Sequence, residues 1–291
     1  MSSIRQKLKR LPLAVHAYVA CKNIAHSIFP PDQFARHGSD HLDGQQSAKS
    51  AADFNIYHQY PPHVLSTFQE KDMIVREALN AYSSVSVADE PSGLYTDPNR
   101  VLNFFQNIEA ANKLAPGDYL ELGSHRGFSL RVIYRFMDPS RTLYSLDTFE
   151  GFDERDIAVE QTKYATSWTA GSFAPTSVER VARYVGDGMW PANLKIVKGW
   201  FPESFKGLEE IRWRFVHIDF DLYQPIKTAL ETLWKPLLPG GIVMVHDYGC
   251  YGFPAARRAV DEFCHAVGQL PVELNDRWST AVIRKPVDPA A

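Results

Sequence analysis

From Asp118 onward, short apolar runs of strand length alternate with stretches of helical periodicity, and few folds accept that rhythm. The runs are "DYLELG", "TLYSLD", "LKIVKG", "FVHIDFD" and "GIVMVHD", and the helical stretches fall near 127–136, 177–185, 224–235 and 254–267. A strand apolar on both sides needs cover on both, and a parallel neighbour is reached only through a crossover. The alternation therefore predicts an α/β, doubly wound and mostly parallel sheet. "PVEL" and "STAVIRKP" are expected to close it as edge strands, giving seven, while "PLLPGG" ahead of the fifth run reads as a tight turn. Helical spacing recurs upstream at 66–83 and 98–112, and residues 30–65, rich in His, Gly and Pro, read as irregular. The division expected is an N-terminal helical and irregular extension over 1–90 and a main domain over 91–291.

Composition narrows the partners. With 291 residues, 45% hydrophobic and 22% charged, the chain can bury a sizeable core, and a formal net charge of -3 supplies no basic field for nucleic acid. Three cysteines without metal-finger spacing fit a reduced, cytoplasmic protein. The N-terminal "IRQKLKRLPLAVHAYVACKNIAHSIF" is basic, but its apolar run is short and holds His16 and Lys22, so it is read neither as a signal peptide nor as a transmembrane segment. It reads as an amphipathic helix, with peripheral membrane contact or a partner protein as the alternative. Histidines 37, 41, 58 and 63 match no ligand spacing and read as solvated loop residues.

Chemistry is expected where the runs end, because the C-terminal ends of parallel strands share one edge and ligands bind there. In "YLELGSHRGFSL" an apolar run ends at Glu121, and Gly123 and Gly127 frame a turn that opens a helix near Phe128. Glycines there admit close backbone approach, and the helix N-terminus offers partial positive charge. His125 and Arg126 break the dinucleotide fingerprint, and an acid at the strand end suits an ammonium group better than a pyrophosphate. The next run ends at Asp147, placed to accept hydrogen bonds from ribose hydroxyls, with a helix N-cap as the structural alternative. The two ends together describe a nucleoside with an amino-acid tail. Two later runs end in Asp219 and Asp221 and in His246 and Asp247. Asp221 reads as a cap for the helix near Gln224, and Tyr223 as packing or lining the cleft. Trp168, Phe173 and Trp190 offer either an aromatic wall for a sugar or core packing, and Arg257 and Arg258 either a substrate mouth or a solvated helix face.

The motifs "LELGSHRGFS", "LYSLDTFEGF", "IVKGWFPESF", "HIDFDLYQPIKTALETLWKPLLPGG" and "VMVHDYG", in that order, resemble a class I S-adenosylmethionine-dependent methyltransferase of the macrocin O-methyltransferase (TylF-like) family. The resemblance implies a Rossmann-like fold, methylation of a hydroxyl on a sugar or polyhydroxylated natural product, a small-molecule or glycoside acceptor, and a homodimer. It further implies S-adenosyl-L-methionine and a divalent metal, Mg²⁺ or Mn²⁺. Carried over by position, Glu121, Gly123, Ser124, His125, Gly127 and Ser129 would surround the methionine part, Asp147, Thr148 and Phe149 the ribose, and Gly199, Trp200 and Phe201 the adenine. Asp219 would be metal ligand and general base, and His246 with Asp247 would complete the metal set. His246 departs from the family's usual pair of aspartates. It replaces a hard oxygen by nitrogen, which disfavours Mg²⁺ and leaves the imidazole open to ligation, proton acceptance or a supporting role. Two alternatives stand beside this reading: a nucleotide-sugar glycosyltransferase using Asp219-Phe220-Asp221 as a D-x-D sequence, and a cofactor-binding subunit without activity.

Overall fold

The computed structural model describes residues 98–164, 166–174, 176–250 and 254–287. The expected extension over 1–90, with the helix at 66–83, lies outside the described residues. In chain order the elements are α1 (Pro98–Asn112), β1 (Asp118–Leu122), α2 (Phe128–Phe136), β2 (Leu143–Asp147), α3 (Glu154–Tyr164), α4 (Val178–Val185), β3 (Leu194–Lys198), a 3₁₀ turn (Glu203–Phe205), β4 (Trp213–Ile218), α5 (Tyr223–Trp234), β5 (Leu237–Val245), α6 (Pro254–Ala266), β6 (Val272–Glu273) and β7 (Ala281–Arg284).

Seven strands form one sheet in the order β3-β2-β1-β4-β5-β7-β6. β1 to β5 pair in parallel and β7 runs antiparallel between β5 and β6. The order reverses between β1 and β4, and that switch opens a crevice at their C-terminal ends. Strand β4 is buried from Trp213 to Ile218, because helices cover both of its faces. On one side Ile226, Leu230 and Leu233 of α5 and Ala256, Val260 and Phe263 of α6 belong to a continuous apolar cluster with Val216, Ile218 and Val243 of the sheet. On the other, Phe104 of α1 packs edge-on against His217 with ring centroids 4.7 Å apart.

Two local expectations change. All of "PLLPGG" but Pro236 lies inside β5 rather than forming a separate turn, since the backbone of Lys285 pairs with Gly240 N–H and the Gly241 carbonyl, and a register shift against β4 absorbs the extra residues. Helix α3 had no apolar stripe to announce it, because its buried residues are Asp156, Ile157 and Glu160.

Candidate active site

The four central parallel strands each lead into a turn with a non-glycine residue in the left-handed region: His125 (φ 47) after β1, Phe149 (φ 54) after β2, Asp221 (φ 61) after β4 and Asp247 (φ 60) after β5. Such conformations are costly and persist where neighbours over-determine them. At β1 the determinant is Gly123, at φ +79, where an added Cβ would lie 2.1 Å from the Asp219 carbonyl oxygen. Only glycine lets the turn lie against the end of β4. Gly123 N–H also bonds the Leu146 carbonyl at 2.9 Å, and Asp219 N–H bonds that of Leu122 at 2.8 Å, so three strand ends are laced together.

Asp147 then fixes the turns after β1 and β2: Oδ2 accepts from His125 N–H at 2.8 Å and Oδ1 from Phe149 N–H at 2.7 Å. Burial raises its pKa against the lowering effect of these donors. Gly127 caps α2 at φ +87 without a side-chain bond. Glu121, fully buried, bonds His217 Nδ1 through Oε1 at 2.9 Å and takes a hydrogen bond from Ser129. Burial pushes the Glu121 carboxyl well above the usual range and the His217 imidazole down to about 3. Glu121 Oε2 and Ser124 Oγ are buried without a partner. Toward β3, a cavity of about 350 Å³ is lined by Thr148, Gly151, Phe152, Lys198, Gly199 and Trp200. The Trp200 indole donates to Asp156 Oδ2 at 2.8 Å and Arg155 lies over its ring at 3.6 Å, while Phe201 is buried against Phe205 and Phe220. Of the three expected aromatics, Trp168 and Phe173 cluster with Phe152, and Phe173 meets the His125 ring at 5.8 Å. Trp190 does not join them. Its indole bonds the Leu194 carbonyl, at the opposite end of β3.

The ends of β4 and β5 carry charge. Asp219 Oδ1 lies 3.0 Å from His246 Nδ1, and that nitrogen lies 3.2 Å from Asp247 Oδ2. Arg100 of α1, 5% exposed, donates to Asp219 Oδ2 at 2.8 Å. Against the upward push of burial, His246 and Arg100 hold the Asp219 carboxyl well below the usual carboxylate range. Burial and Arg100 both lower the His246 pKa, but Asp219 and Asp247 outweigh them and raise it to about 9, a stronger base than an ordinary imidazole. Burial and the neighbouring Asp247 raise Asp221 well above the usual range, so these two share a hydrogen bond in which Asp221 holds the proton. Asp221 therefore does not cap α5. The carboxylate of Glu160 accepts from Tyr223 N–H at 3.0 Å instead, and the capping position, Leu222, has no side-chain bond to give. Arg257 and Arg258 pair with Glu273 and Glu262 on the outer surface.

With this geometry in view, comparison with known proteins is informative. The macrocin O-methyltransferase (TylF) family model matches residues 45–283. The chain belongs to that family. Among its relatives, the 8-demethyl-8-(2,3-dimethoxy-alpha-L-rhamnosyl)-tetracenomycin-C 4'-O-methyltransferase of Streptomyces olivaceus is 29% identical over 154 residues, 51% of this chain and 58% of that protein. The demethyldecarbamoylnovobiocin O-methyltransferase of Streptomyces niveus is 25% identical over 205 residues, 67% of this chain and 76% of that one. The match thus spans little more than half the length of the first relative. Among solved structures, the O-methyltransferase NovP aligns with a TM-score of 0.53 at 22% identity, covering 65% of this chain and 80% of its own. The calicheamicin methyltransferase CalS11 aligns with a TM-score of 0.53 at 18% identity, covering 84% and 99%. Both likenesses establish the fold alone, a Rossmann-like, mostly parallel sheet.

This member of the TylF family fits its cofactor class. Two unpartnered buried oxygens, Glu121 Oε2 and Ser124 Oγ, adjoin a glycine turn, and an incoming cationic group would offset the burial that raises the Glu121 pKa and stabilise its carboxylate. The metal is a different matter. Asp219, His246 and Asp247 each offer a donor within 4.8 Å of the others, close enough to hold an ion. As arranged, however, the two carboxylates are compensated by Arg100 and by the nitrogen–hydrogen of His246, and the set does not fit a hard divalent cation. Sequence reasoning missed Arg100 and His217. Both sit inside apolar periodic runs, where a polar residue gives no sign of the partner it will meet.

Proposed function

We propose that this chain is an S-adenosylmethionine-dependent O-methyltransferase acting on a hydroxyl of a sugar borne by a natural product. The observation that carries this reading is the family match over residues 45–283, joined to a strand-end turn in which Gly123 packs directly on Asp219. The acceptor class is supported by the relatives, one named for a rhamnosyl-tetracenomycin acceptor and another for demethyldecarbamoylnovobiocin.

On this reading Glu121, Ser124 and the Gly123–Gly127 turn hold the amino-acid end of S-adenosylmethionine, Asp147 the ribose, and the Gly199–Phe201 turn with Thr148 the adenine side. When bound, the cofactor supplies a methyl group on a sulfonium. The chain's own part is to present the acceptor oxygen in line with that group and to remove its proton, and holding two reactants so is worth roughly 7–11 kcal/mol. Phe173 and Trp168 offer a face for a sugar beside His125. The D-x-D alternative requires Asp219 and Asp221 to act together on one ion, whereas Asp219 is engaged by Arg100 and Asp221 by Asp247. Among the described residues no helix is long and apolar enough to cross a membrane, and we keep a cytoplasmic setting as part of the proposal.

Titration calorimetry with S-adenosylhomocysteine tests the cofactor half, and micromolar binding is expected. Incubation with S-adenosylmethionine and a panel of aryl rhamnosides, followed by mass spectrometry and methylation mapping, tests the acceptor. Absence of S-adenosylhomocysteine binding at millimolar concentration refutes the proposal.

A further inference from the structure

Carboxylates only accept hydrogen bonds, so the His246 nitrogen that lies 3.0 and 3.2 Å from two of them carries a hydrogen. A protonated nitrogen has no lone pair for a metal. Asp219 is engaged on its other oxygen by Arg100, whose guanidinium is charged at any working pH and is itself buried. A divalent ion entering here would meet a fixed like charge and would have to displace a hydrogen held by two acceptors. The far side of the ring offers no easier approach, because His246 Nε2 is buried in a side chain 7% exposed.

Resting on the methyl-transfer reading above, we propose that the centre works without a divalent metal: Arg100 and the Nδ1–H of His246 hold the Asp219 and Asp247 oxygens that an ion would need, and supply the positive charge in its place. Arg100 keeps Asp219 ionised and fixed.

The test reads Mn²⁺ binding by electron paramagnetic resonance on the EDTA-treated full chain, which needs no acceptor. Wild type should leave the free Mn²⁺ signal undiminished up to millimolar ion. The double variant Arg100→Ala, His246→Asp, which removes both cations and restores a second acid, should bind Mn²⁺ roughly 100-fold more tightly than wild type. Stoichiometric micromolar binding by wild type would overturn the proposal. So would failure of the double variant to bind while its thermal unfolding and S-adenosylhomocysteine affinity match wild type. If the double variant is unfolded, His246→Asp alone is to be compared with wild type by the same criteria. On a glycoside found in the panel, wild-type turnover should be equal in EDTA and in Mg²⁺, and loss in EDTA with recovery in Mg²⁺ would also overturn it. Loss of S-adenosylhomocysteine binding in wild type, by contrast, would sink the methyltransferase reading and leave the Mn²⁺ result standing.

Discussion

At the ends of β1 and β2 the site is built from backbone, whereas at the ends of β4 and β5 it is built from side-chain charge. In the first half Gly123 has no room for a side chain, and Asp147 spends its oxygens on the amides of His125 and Phe149. In the second half two carboxylates, an imidazole and a guanidinium neutralise one another within a buried cluster. The backbone half is held by steric and main-chain contacts that need no ligand. The charged half has its cations in place as well, but through contacts that a single substitution would unbalance, since removing one member of a buried pair leaves its partner uncompensated.

The substitution with the largest expected effect breaks both halves at once. Gly123→Val would place Cβ against the Asp219 carbonyl and force a β-branched residue to φ +79, so destabilisation of roughly 4 kcal/mol or more is expected. Chemical denaturation should show it, and a variant as stable as wild type would mean that the β1 turn does not pack on β4 as described. Next comes a pair of substitutions that separates the halves. Asp219→Asn should lower turnover about 1,000-fold on an active glycoside while S-adenosylhomocysteine affinity stays within about twofold. Asp147→Asn should instead weaken S-adenosylhomocysteine binding about 30-fold, since it removes a charged acceptor from the turn that holds the cofactor. Equal loss of binding in both would abolish the distinction.

A third substitution sharpens the comparison at the β3 margin. Burial raises the Asp156 pKa to about 6, against the lowering effect of the Trp200 indole. Its folded pKa exceeds its unfolded value near 3.8, so the folded chain binds the extra proton and stability falls as pH rises from about 4 through about 6. Asp156→Asn keeps a carbonyl for the indole and removes the charge. It should gain roughly 1–2 kcal/mol at pH 7, the pKa difference discounted for partial exposure, and the gain should vanish near pH 4. Thermal unfolding across that range decides it, and a gain that does not change with pH would assign the effect to packing.

The backbone half was the more legible in the sequence for a physical reason. Gly123, Gly127 and Asp147 act through local geometry, turn conformation and strand-end position, which short-range spacing records. Asp219, His246 and Asp247 were legible as polar groups at the ends of apolar runs, but their electrostatic partners were not. Arg100 meets Asp219 from 119 residues away, and Glu160 caps α5 across 63 residues, taking the place expected of Asp221. Pairing at such distances depends on the topology of the whole sheet. The strands β1 to β5, their mostly parallel pairing and the helices α2, α4, α5 and α6 followed from apolar periodicity, while α3 did not, because acidic residues occupy its buried side.

The smallest expected effect concerns the aromatic residues, where spacing left Trp168, Phe173 and Trp190 equivalent. Phe173 touches the rings of His125, Phe152 and Trp168, so it braces the backbone half from outside. Trp190, 49% exposed, bonds the Leu194 carbonyl at the start of β3, the end of the strand remote from the site. Phe173→Ala should therefore raise the S-adenosylhomocysteine dissociation constant about threefold, or roughly 0.6 kcal/mol, by loosening the left-handed turn at His125. Trp190→Ala should leave it unchanged. The reverse order in calorimetry would place the ligand-facing aromatic at the other edge of the sheet and remove the brace from the backbone half.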